Sequence, residues 1–460
     1  MSKLDKYLNN LRGKNILIQG LGLNGGGLGV AKFFLENGFK IKITDLKNED
    51  DLKDSILELK DFEDNIEYVL GKHDEDDFRK ADIVVKGPGV PPTNKFIKIA
   101  IENKAEIISD IEIFLNITDA KVYAVTGSKG KSTSVSLIYN IFQKESKNSF
   151  LGGNITISPL NFYKETDKDS LVILELSSWQ LRDLKGKNFR FLGAGITNLL
   201  CDHQNYYANM IDYLNDKKII TENQTNYDFL IIPYNDYYLN TKNIKTEARV
   251  FYYDRSDKKA NFYYKDSKAF FSYNNKEIEI FEEILLKIYG EHNKLNALFS
   301  AGFCYLAGIK PENIKNGIAD FKGAPFRLEL IREINGVKFI NDTTATMPDA
   351  SYFAIKSFNS PVIWIAGGND KNLDFSILEK VRNIPKKILL LPGNGTERMK
   401  KILNRDDIIE NDSLEFLIKK AFEYAEKGDI ILFSPGCTSF GLFQNEFDRG
   451  RKFNNIVNSL

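Results

Sequence analysis

The sequence predicts an α/β protein of three domains, each built around a mainly parallel sheet, and three observations support this fold class. Short apolar segments alternate with helical segments along the whole chain, a pattern typical of parallel strands joined by helices. Two glycine-rich loops, at residues 20–25 and 127–130, each follow an apolar segment and precede a helical one. At 460 residues, the chain is also too long for one ordinary domain.

The first domain is predicted over residues 1–108, with a Rossmann-like fold. Its expected elements are a helix at residues 30–36 and strands at residues 15–18, 41–44, 83–85 and 106–109. The loop Gly20-Leu21-Gly22-Leu23-Asn24-Gly25 satisfies the pattern G-x-G-x-x-G, and Asp45 follows at the end of the second strand. By itself this combination is the fingerprint of a dinucleotide-binding domain, so a nicotinamide-dependent dehydrogenase is one interpretation. No second feature of the sequence supports hydride transfer.

The second domain is predicted over residues 109–323, as a P-loop ATPase-like domain with a mostly parallel sheet. Its expected strands lie at residues 122–125, 171–176, 193–197 and 229–232, with an antiparallel hairpin in residues 260–280. The strongest local pattern is TGSKGKST at residues 126–133, between an apolar strand and a helix. Glycines let backbone N–H groups surround a polyphosphate, while Lys131 would contact the outer phosphates and Ser132 would bind Mg²⁺. A basic surface turn is the weaker alternative, because the strand–loop–helix context favours a phosphate loop.

Three polar residues after this loop are candidates for the chemistry. Glu175 ends an apolar strand, where a carboxylate beside a P-loop is well placed for a Mg²⁺ ion; a simple acidic strand end is the alternative. His203, one of three histidines, follows the next strand on a loop. Lys217 lies on a predicted helix, where lysines are usually solvated, so the residues alone do not single it out.

The third domain is predicted over residues 324–460, after a helix at residues 293–306, and it returns to a Rossmann-like alternation. Its expected strands lie at residues 337–340, 362–365, 388–391 and 430–433. Each strand ends in a loop of small or polar residues. In open α/β sheets, loops at the carboxyl ends of strands bind ligands, so these loops are candidate binding segments.

The composition excludes several classes of protein. Lysine plus arginine and aspartate plus glutamate both number 63, so neither a nucleic-acid partner nor an anionic membrane surface is indicated. The polar N-terminus has no apolar signal core, and no apolar run of about 18 residues predicts a membrane span. Three scattered cysteines indicate a reducing compartment. We therefore expect a cytoplasmic protein that acts on small molecules.

A series of ordered motifs resembles the Mur ligase family over essentially the whole chain. The motifs are TGSKGKST, GGN at residues 152–154, LELSSWQL from 174, TNLLCDH from 197, GEHNKLNAL from 290, GAPFR from 323, GGNDK from 367 and SPGCTSFGLFQNEFDRG from 434. The phosphate loop has the shortened form of these ligases, with two residues between Gly127 and Gly130. The resemblance implies a uridine-nucleotide domain, a central ATPase and a C-terminal amino-acid domain. It implies ATP-dependent ligation of D-glutamate to UDP-N-acetylmuramoyl-L-alanine through an acyl phosphate, a step of peptidoglycan biosynthesis.

The resemblance also implies roles for individual residues around ATP and Mg²⁺. The implied ATP contacts are Gly127, Ser128, Lys129, Gly130, Lys131, Ser132, Thr133, Asn293, Asn296, Arg327 and Asp342. The implied metal ligands are Ser132, Glu175, His203 and Lys217, with Lys217 carbamylated. Lys131, Glu175, His203 and Lys217 are the expected catalytic residues.

The same resemblance implies three groups of substrate contacts. Gly22, Leu23, Asn24, Asp45, Gly87, Pro88 and Gly89 would bind the uridine nucleotide. Asn154 and Ser177 would contact the muramoyl substrate. Thr346, Lys371, Ser439 and Phe443 would bind the amino acid. Where D-glutamate ligases of the family often have a lysine, this chain has Thr344.

Several alternatives follow from these observations. A Mur-type ligase that adds L-glutamate or another amino acid is the nearest, because of Thr344. A folylpolyglutamate synthetase is disfavoured, since that enzyme begins directly with its ATPase domain. A regulatory nucleotide-binding protein without activity is disfavoured by the intact set of Lys131, Glu175, His203 and Lys217. We expect a monomer.

Overall fold

The computed structural model describes residues 1–22, 26–91, 93–155, 157–200, 206–370, 372–439 and 441–460. These residues contain three sheets that follow one another along the chain, with five, nine and six strands. Their contacts divide the chain into two compact units, residues 1–283 with 298–318, and residues 284–297 with 319–460. The predicted α/β class with mainly parallel sheets is confirmed. No helix of the described residues is long and apolar enough to cross a membrane.

The first sheet is entirely parallel and has the strand order β3-β2-β1-β4-β5. Its strands are β1 (Ile16–Gln19), β2 (Ile41–Asp45), β3 (Ile66–Leu70), β4 (Ile83–Lys86) and β5 (Glu106–Ile108). The helices are α1 (Lys3–Leu11), α2 (Gly26–Glu36), α3 (Glu49–Leu57), α4 (Glu75–Lys80), α5 (Lys95–Glu102) and α6 (Asp110–Ile117). The strand order reverses between β1 and β4, and such a switch point opens a crevice for ligands at the carboxyl ends of the strands.

The second sheet has the order β14-β13-β12-β11-β10-β9-β6-β8-β7 and is parallel except at its β12–β14 end. Its strands are β6 (Lys121–Thr126), β7 (Ser149–Gly153), β8 (Leu171–Glu175), β9 (Gly193–Ile196), β10 (Phe229–Pro233), β11 (Arg249–Tyr253), β12 (Phe262–Lys265), β13 (Lys268–Tyr273) and β14 (Lys276–Glu282). Helices α7 (Lys131–Glu145), α8 (Ser178–Asp183) and α9 (Met210–Lys217) connect strands, and α10 (Glu291–Leu306) and α11 (Pro311–Asp320) follow. The predicted hairpin is confirmed, with Asn274 and Asn275 at φ +51° and +58°.

The third sheet has the order β15-β16-β20-β17-β18-β19, and only the β15–β16 pair is antiparallel. Its strands are β15 (Glu329–Ile334), β16 (Val337–Asn341), β17 (Val362–Gly367), β18 (Pro385–Leu391), β19 (Ile409–Glu410) and β20 (Ile430–Phe433). Its helices are α12 (Pro348–Lys356), α13 (Asn394–Leu403), α14 (Leu414–Tyr424) and α15 (Glu446–Ser459). Side chains alternate across the sheet, with Trp364 in the core beneath α12 and α13, and Ile363 beneath α14 and α15.

The first two sheets share one hydrophobic core, which extends from Leu8 in α1 to Ala248 before β11. Phe33 of α2 packs edge-on against Tyr163, with ring centroids 5.1 Å apart. Gly29 lies so close to Asn161 that a Cβ atom there would clash with its side chain. The first two sheets therefore pack against each other within one compact unit. The exact domain boundaries stay a prediction.

Candidate active site

The register of the second sheet brings the carboxyl ends of four strands to one edge. Val125 and Gly153 are both paired with Glu175, so β6, β7 and β8 end side by side. Thr126 is paired with Ile196, which places the end of β9 on the other side of β6. The phosphate loop and three further strand-end loops therefore meet at this edge, as is usual for ligand sites in parallel sheets.

The phosphate loop depends on glycine at both of its turns. Gly127 has φ +146°, and a Cβ atom there would clash with the hydroxyl of Thr197. Gly130, with φ +81°, is the left-handed N-cap residue of α7. The helix begins at Lys131, so its first backbone N–H groups, which have no intrahelical acceptor, are available to a bound anion. The geometry is that of a phosphate-binding loop.

The loop after β9 stabilises the conformation of the phosphate loop through hydrogen bonds. The side-chain amide of Asn198 binds both backbone groups of Lys129, accepting from its N–H at 2.9 Å and donating to its carbonyl at 3.0 Å. The hydroxyl of Thr197 donates to the same carbonyl at 2.6 Å. Ser128 Oγ accepts from the Leu200 N–H at 2.9 Å. Thr197 and Asn198 lie in the motif TNLLCDH, but the motif alone predicts no role for either residue.

Two lysines reach the phosphate loop from different helices. Nζ of Lys131 donates to the carbonyls of Gly127 at 2.9 Å and Ser128 at 3.1 Å. Lys217, the last residue of α9, is 1% exposed, and its Nζ donates to the Gly127 carbonyl at 2.9 Å. The same Nζ lies 4.4 Å from the ring centroid of Tyr213. The structure thus places the Lys217 side chain against the phosphate loop. No local pattern in the sequence predicts this contact.

Glu175 lies in the same group and is 1% exposed. Its Oε1 accepts from the Asn154 side chain at 2.9 Å, and the Asn154 N–H donates to the Glu175 carbonyl at 2.8 Å. Its Oε2 is buried without a hydrogen-bond partner among the residues that the structure describes. An unpartnered buried carboxylate oxygen is costly, and a hard cation such as Mg²⁺ would compensate for that cost.

The remaining expected metal ligands are described only in part. Ser132 lies in the first turn of α7, half-buried, next to Lys131. His203 lies outside the described residues. Within the described ranges, no three histidine, cysteine or acidic side chains gather into a metal site. Of the expected ligands, Glu175 and Ser132 are two that the structure brings to this edge with an oxygen suited to Mg²⁺.

Ser177, an expected substrate contact, is the N-cap residue of α8. Its Oγ accepts from the Gln180 N–H at 3.2 Å, and its own N–H donates to Gln180 Oε1 at 3.0 Å. This reciprocal pair is a capping box, which stabilises the first turn of the helix. Its contact with a substrate stays a prediction.

In the first domain, Asp45 shapes the glycine-rich loop. Its Oδ2 accepts from the N–H groups of Leu21 at 3.0 Å and Gly22 at 3.1 Å, and its Oδ1 accepts from Lys47 at 3.0 Å. The loop turns at Gly20 and Gly22, with φ +93° and +67°. A direct contact of Asp45 with a nucleotide stays a prediction. Leu23 and Asn24 lie outside the described residues.

The segment Gly87-Pro88-Gly89 lies beside the glycine-rich loop, because β4 is paired with β1. The Gly87 N–H donates to the Gln19 carbonyl at 3.1 Å, at the end of β1. Nζ of Lys86, a buried side chain, donates to the Val90 carbonyl at 2.9 Å and pairs with Asp183 at 2.8 Å. Pro88 and Gly89 are exposed. The structure therefore brings the described residues that were expected to bind a uridine nucleotide to one edge of the first sheet.

The C-terminal sheet carries Asp342 directly after β16. Its Oδ2 accepts from the Ser434 hydroxyl at 2.8 Å and its Oδ1 from the Leu328 N–H at 3.2 Å. Burial raises the pKa of Asp342 to about 7. Arg327 is exposed between Phe326 and Leu328, whose φ angles of +63° and +46° are strained for side chains of this size. Such strain is common where a segment presents a functional residue.

Asn293 and Asn296 lie one turn apart on α10 and are buried. The Asn296 amide donates to Asn293 Oδ1 at 2.9 Å. The Asn293 amide in turn donates to the Tyr289 carbonyl at 2.7 Å. The predicted pair therefore shares one face of the helix, and its contact with adenine stays a prediction.

A cavity of about 230 Å³ lies at the carboxyl ends of β17, β18 and β20. Its described lining includes the expected amino-acid contacts Ser439 and Phe443. Thr346 is half-buried and does not line this cavity, and Lys371 lies outside the described residues. Thr344, at the position of the family lysine, donates its hydroxyl proton to the Phe326 carbonyl at 2.9 Å. The hydroxyl proton of Thr344 is therefore already used in a hydrogen bond within the protein.

A larger groove, of about 870 Å³, lies at the opposite, amino-terminal edge of the first sheet. Lys42 in this groove is paired with Glu67 at 2.6 Å and with Asp77 at 2.7 Å. None of the expected site residues that the structure describes lines this groove. Ligands of parallel sheets bind at the carboxyl ends of strands, so the strand-end sites of each sheet, and not this groove, are the candidate ligand sites.

Comparison with known proteins agrees with this arrangement. Residues 14–109 match the model of the Mur ligase MurD-like N-terminal domain, and residues 125–304 match that of the Mur ligase middle domain. A UDP-N-acetylmuramoylalanine–D-glutamate ligase from Borreliella afzelii (strain PKo) is 42% identical over 98% of this chain and 99% of its own length. A protein of the same name from Thermoanaerobacter sp. (strain X514) is 34% identical over the same shares.

The chain belongs to the Mur ligase family. This membership decides against the dehydrogenase interpretation of the first glycine-rich loop, and it makes the protein a ligase.

Solved Mur ligases share the three-domain fold. The UDP-N-acetylmuramate–alanine ligase MurC from Thermotoga maritima has a TM-score of 0.64 at 18% identity, covering 97% of this chain and 99% of its own. The MurF ligase from Thermotoga maritima, solved in complex with ADP, has a TM-score of 0.54 at 17% identity, covering 82% and 94%. This Mur ligase therefore has the architecture that its ordered motifs predicted.

Proposed function

We propose that this Mur ligase joins D-glutamate to UDP-N-acetylmuramoyl-L-alanine, using ATP to activate the carboxylate. The observation that carries the proposal is the group at the end of the second sheet, where Lys131, Lys217 and Glu175 surround one phosphate loop. Relatives named UDP-N-acetylmuramoylalanine–D-glutamate ligase, with up to 42% identity over 98% of the chain, also support the proposal. ATP dependence follows from the phosphate loop and the family.

The reaction requires two displacements. A carboxylate is a poor electrophile, so its oxygen first attacks the γ-phosphorus of ATP; a P–O bond forms and the bond to ADP breaks. The amine of glutamate then attacks the acyl carbon, and inorganic phosphate leaves with the former carboxylate oxygen. The N–H groups at the start of α7 and the ammonium of Lys131 would stabilise charge on the transferred phosphoryl group.

Glu175, Ser132, His203 and Lys217 would hold Mg²⁺ in this site. When bound, the metal would neutralise charge on the phosphate oxygens. The unpartnered Oε2 of Glu175 supports this role, because a buried carboxylate oxygen needs a compensating charge. Asn154 would keep that carboxylate oriented through its two contacts with Glu175.

We propose that Lys217 is carbamylated in the active enzyme. Lys131 and Lys217 both donate to the Gly127 carbonyl, and two neighbouring ammonium groups repel each other. A lysine reacts with CO₂ through its neutral amine. The carbamate would replace one positive charge by a negative one, giving Lys131 an opposite neighbour and Mg²⁺ an oxygen ligand.

The substrates would occupy the strand-end loops of the three domains. Gly22, Leu23, Asn24, Asp45, Gly87, Pro88 and Gly89 would contact the uridine nucleotide, with Asn154 and Ser177 on the muramoyl side. Asn293, Asn296, Arg327 and Asp342 would contact ATP, and Thr346, Lys371, Ser439 and Phe443 would contact glutamate. We also propose a cytoplasmic monomer, a state that light scattering of the purified protein would test.

Product analysis tests the function directly. The purified protein is incubated with UDP-N-acetylmuramoyl-L-alanine, ATP, Mg²⁺ and each member of a panel of D- and L-amino acids. We expect a new UDP-linked product only with D-glutamate, together with equal amounts of ADP and phosphate. Absence of a product with every amino acid would overturn the ligase proposal.

A second candidate function is the addition of another amino acid, such as L-glutamate, to the same carrier. It is favoured by one observation, the replacement of the family lysine by Thr344, whose hydroxyl is committed to Phe326. The same panel decides between the two functions, since a product with L-glutamate or an uncharged amino acid would identify the second.

A further inference from the structure

Arg449 of α15 is one of the largest fully buried side chains of the protein, with 1% exposure. Its Nε and Nη2 donate to the hydroxyl and the carbonyl of Thr343, at 3.0 and 2.8 Å. Its Nη1 donates to the Cys437 carbonyl at 3.2 Å. The guanidinium thus joins the loops that follow β16 and β20, and all three acceptors are neutral.

No carboxylate of the described chain forms an ion pair with Arg449, unlike other charged side chains of this domain. Arg405 pairs with Asp407 at 2.8 Å, and Lys386 pairs with Asp429 at 2.9 Å. Burial lowers the pKa of Arg449 only to about 10, so the group stays protonated at neutral pH. A buried charge without a counter-ion is unfavourable, and an anionic ligand is one way to compensate for it.

Arg449 also borders the 230 Å³ cavity at the carboxyl ends of β17, β18 and β20. Among the described lining residues it is the only one with a charged side chain; the others are glycines, apolar residues, Asn369, Thr438 and Ser439. The position where the family often has a lysine is occupied by Thr344, directly after the residue that Arg449 holds. Among the described residues that line the cavity, Arg449 is therefore the one source of positive charge.

We propose that Arg449 is a specificity-determining residue that selects an amino acid with an anionic side chain in this cavity. The inference rests on the proposed function and deepens it, because it names the group that distinguishes an acidic from a neutral amino acid. The side-chain carboxylate of the substrate supplies the counter-ion that the buried guanidinium lacks. Ser439 and the backbone of the surrounding loops donate the short hydrogen bonds, while Arg449 provides the electrostatic preference.

The test compares glutamate with glutamine, which has the same shape without the charge. The ratio of kcat/KM for the two amino acids is measured for the wild type, Arg449→Met and Arg449→Lys, with ATP and UDP-linked substrate saturating. We expect Arg449→Met to reduce the ratio by about tenfold or more, through a higher KM for glutamate. Arg449→Lys keeps the charge and should retain a ratio within about threefold of wild type.

Arg332→Met is the matched control. Arg332 also donates to carbonyls of α15, those of Val457 and Asn458, but it does not line the cavity. Its replacement should leave the ratio unchanged. A purely structural role of Arg449 would lower the melting temperature and kcat for both amino acids without changing their ratio, and that outcome overturns the proposal.

Two further outcomes keep the test decisive. If Arg449→Met does not fold, Arg449→Gln takes its place as the variant without charge: a ratio reduced by about tenfold supports the proposal, and an unchanged ratio contradicts it. Failure of the proposed function is distinguishable, because the wild type would then form no product with glutamate. A wild type that is active with glutamate, beside an Arg449→Met variant of unchanged ratio, refutes only the role of Arg449.

Discussion

Lys131 and Lys217 donate hydrogen bonds to the same acceptor, the carbonyl oxygen of Gly127, and both distances are 2.9 Å. The two Nζ atoms therefore lie within two hydrogen-bond lengths of each other, although one belongs to the start of α7 and the other to the end of α9. Two ammonium groups this close repel each other. A change of charge at either lysine would therefore change the electrostatic environment of the phosphate loop.

Carbamylation of Lys217 should make the enzyme dependent on CO₂. Activity should fall at least tenfold in buffer depleted of CO₂ and return when bicarbonate is added, because the carbamate is expected to complete the metal site. Lys217→Ala should be inactive with or without bicarbonate, whereas Lys218→Ala should respond like the wild type. Full activity in CO₂-depleted buffer would contradict the prediction.

Lys131→Ala should lose the phosphoryl-transfer step but not the binding of the UDP-linked substrate. The Lys131 side chain supplies positive charge at the phosphate loop, so we expect a loss of at least hundredfold in kcat, or about 2.7 kcal/mol. Calorimetric affinity for UDP-N-acetylmuramoyl-L-alanine should stay within about twofold. The assignment fails if the variant turns over within about tenfold of the wild type.

Asn198→Ala should raise the KM for ATP by about tenfold and leave the KM for glutamate unchanged. The Asn198 amide makes two hydrogen bonds to the backbone of Lys129, and losing both would loosen the phosphate loop by about 1–2 kcal/mol. Asn223→Ala, which removes one exposed side-chain contact to the Lys187 carbonyl, is the control. Equal effects on both KM values would argue for general destabilisation instead.

Asp342 should make the free energy of unfolding fall as the pH rises. Burial raises its pKa from 3.8 to about 7, so the native state holds a proton that the unfolded chain releases. This stabilisation is complete below about pH 4 and is lost as the pH rises through about 7. We expect the wild type to lose on the order of 2–3 kcal/mol between pH 5 and 8 relative to Asp342→Asn.

Urea unfolding measures this difference in the same domain when it is followed by fluorescence in a Trp179→Phe background, where the buried Trp364 is the remaining tryptophan. The asparagine cannot ionise and retains an oxygen acceptor, so its stability should depend less on pH. Two parallel curves of stability against pH would show that Asp342 does not carry the effect.

Thr344→Lys should lower the KM for glutamate by about five- to tenfold, as a second cation adds a charge-assisted contact of about 1–1.5 kcal/mol. Thr344→Val is the control, because it removes only the hydroxyl bond to the Phe326 carbonyl. Steady-state kinetics at saturating ATP measure both variants. An unchanged or higher KM in Thr344→Lys would place the side-chain carboxylate elsewhere.

The sequence by itself determined the α/β class, the order of the domains and the phosphate loop, because these depend on neighbouring residues. Strand–glycine–helix patterns and apolar runs are local signals. Strands with weaker local signals were not predicted: β7 (Ser149–Gly153), for example, ends in two glycines, and its pairing with β8 makes it a strand. The positions of Glu175 and Asp45 at strand ends were also predicted from the sequence, because each residue follows an apolar segment.

Only the tertiary structure decided which distant side chains meet. Lys217 lies 90 residues from Gly127, and Arg449 lies 106 residues from Thr343, so no local pattern links either pair. Strand pairing likewise explains two other sets of contacts. It brings the Asn198 side chain into hydrogen-bond contact with the phosphate loop, and it places both Asp45 carboxylate oxygens next to backbone N–H groups. Sequence patterns identify residue types suited to a chemistry. The burial, charge and partners that set their roles come from contacts between segments far apart in the chain.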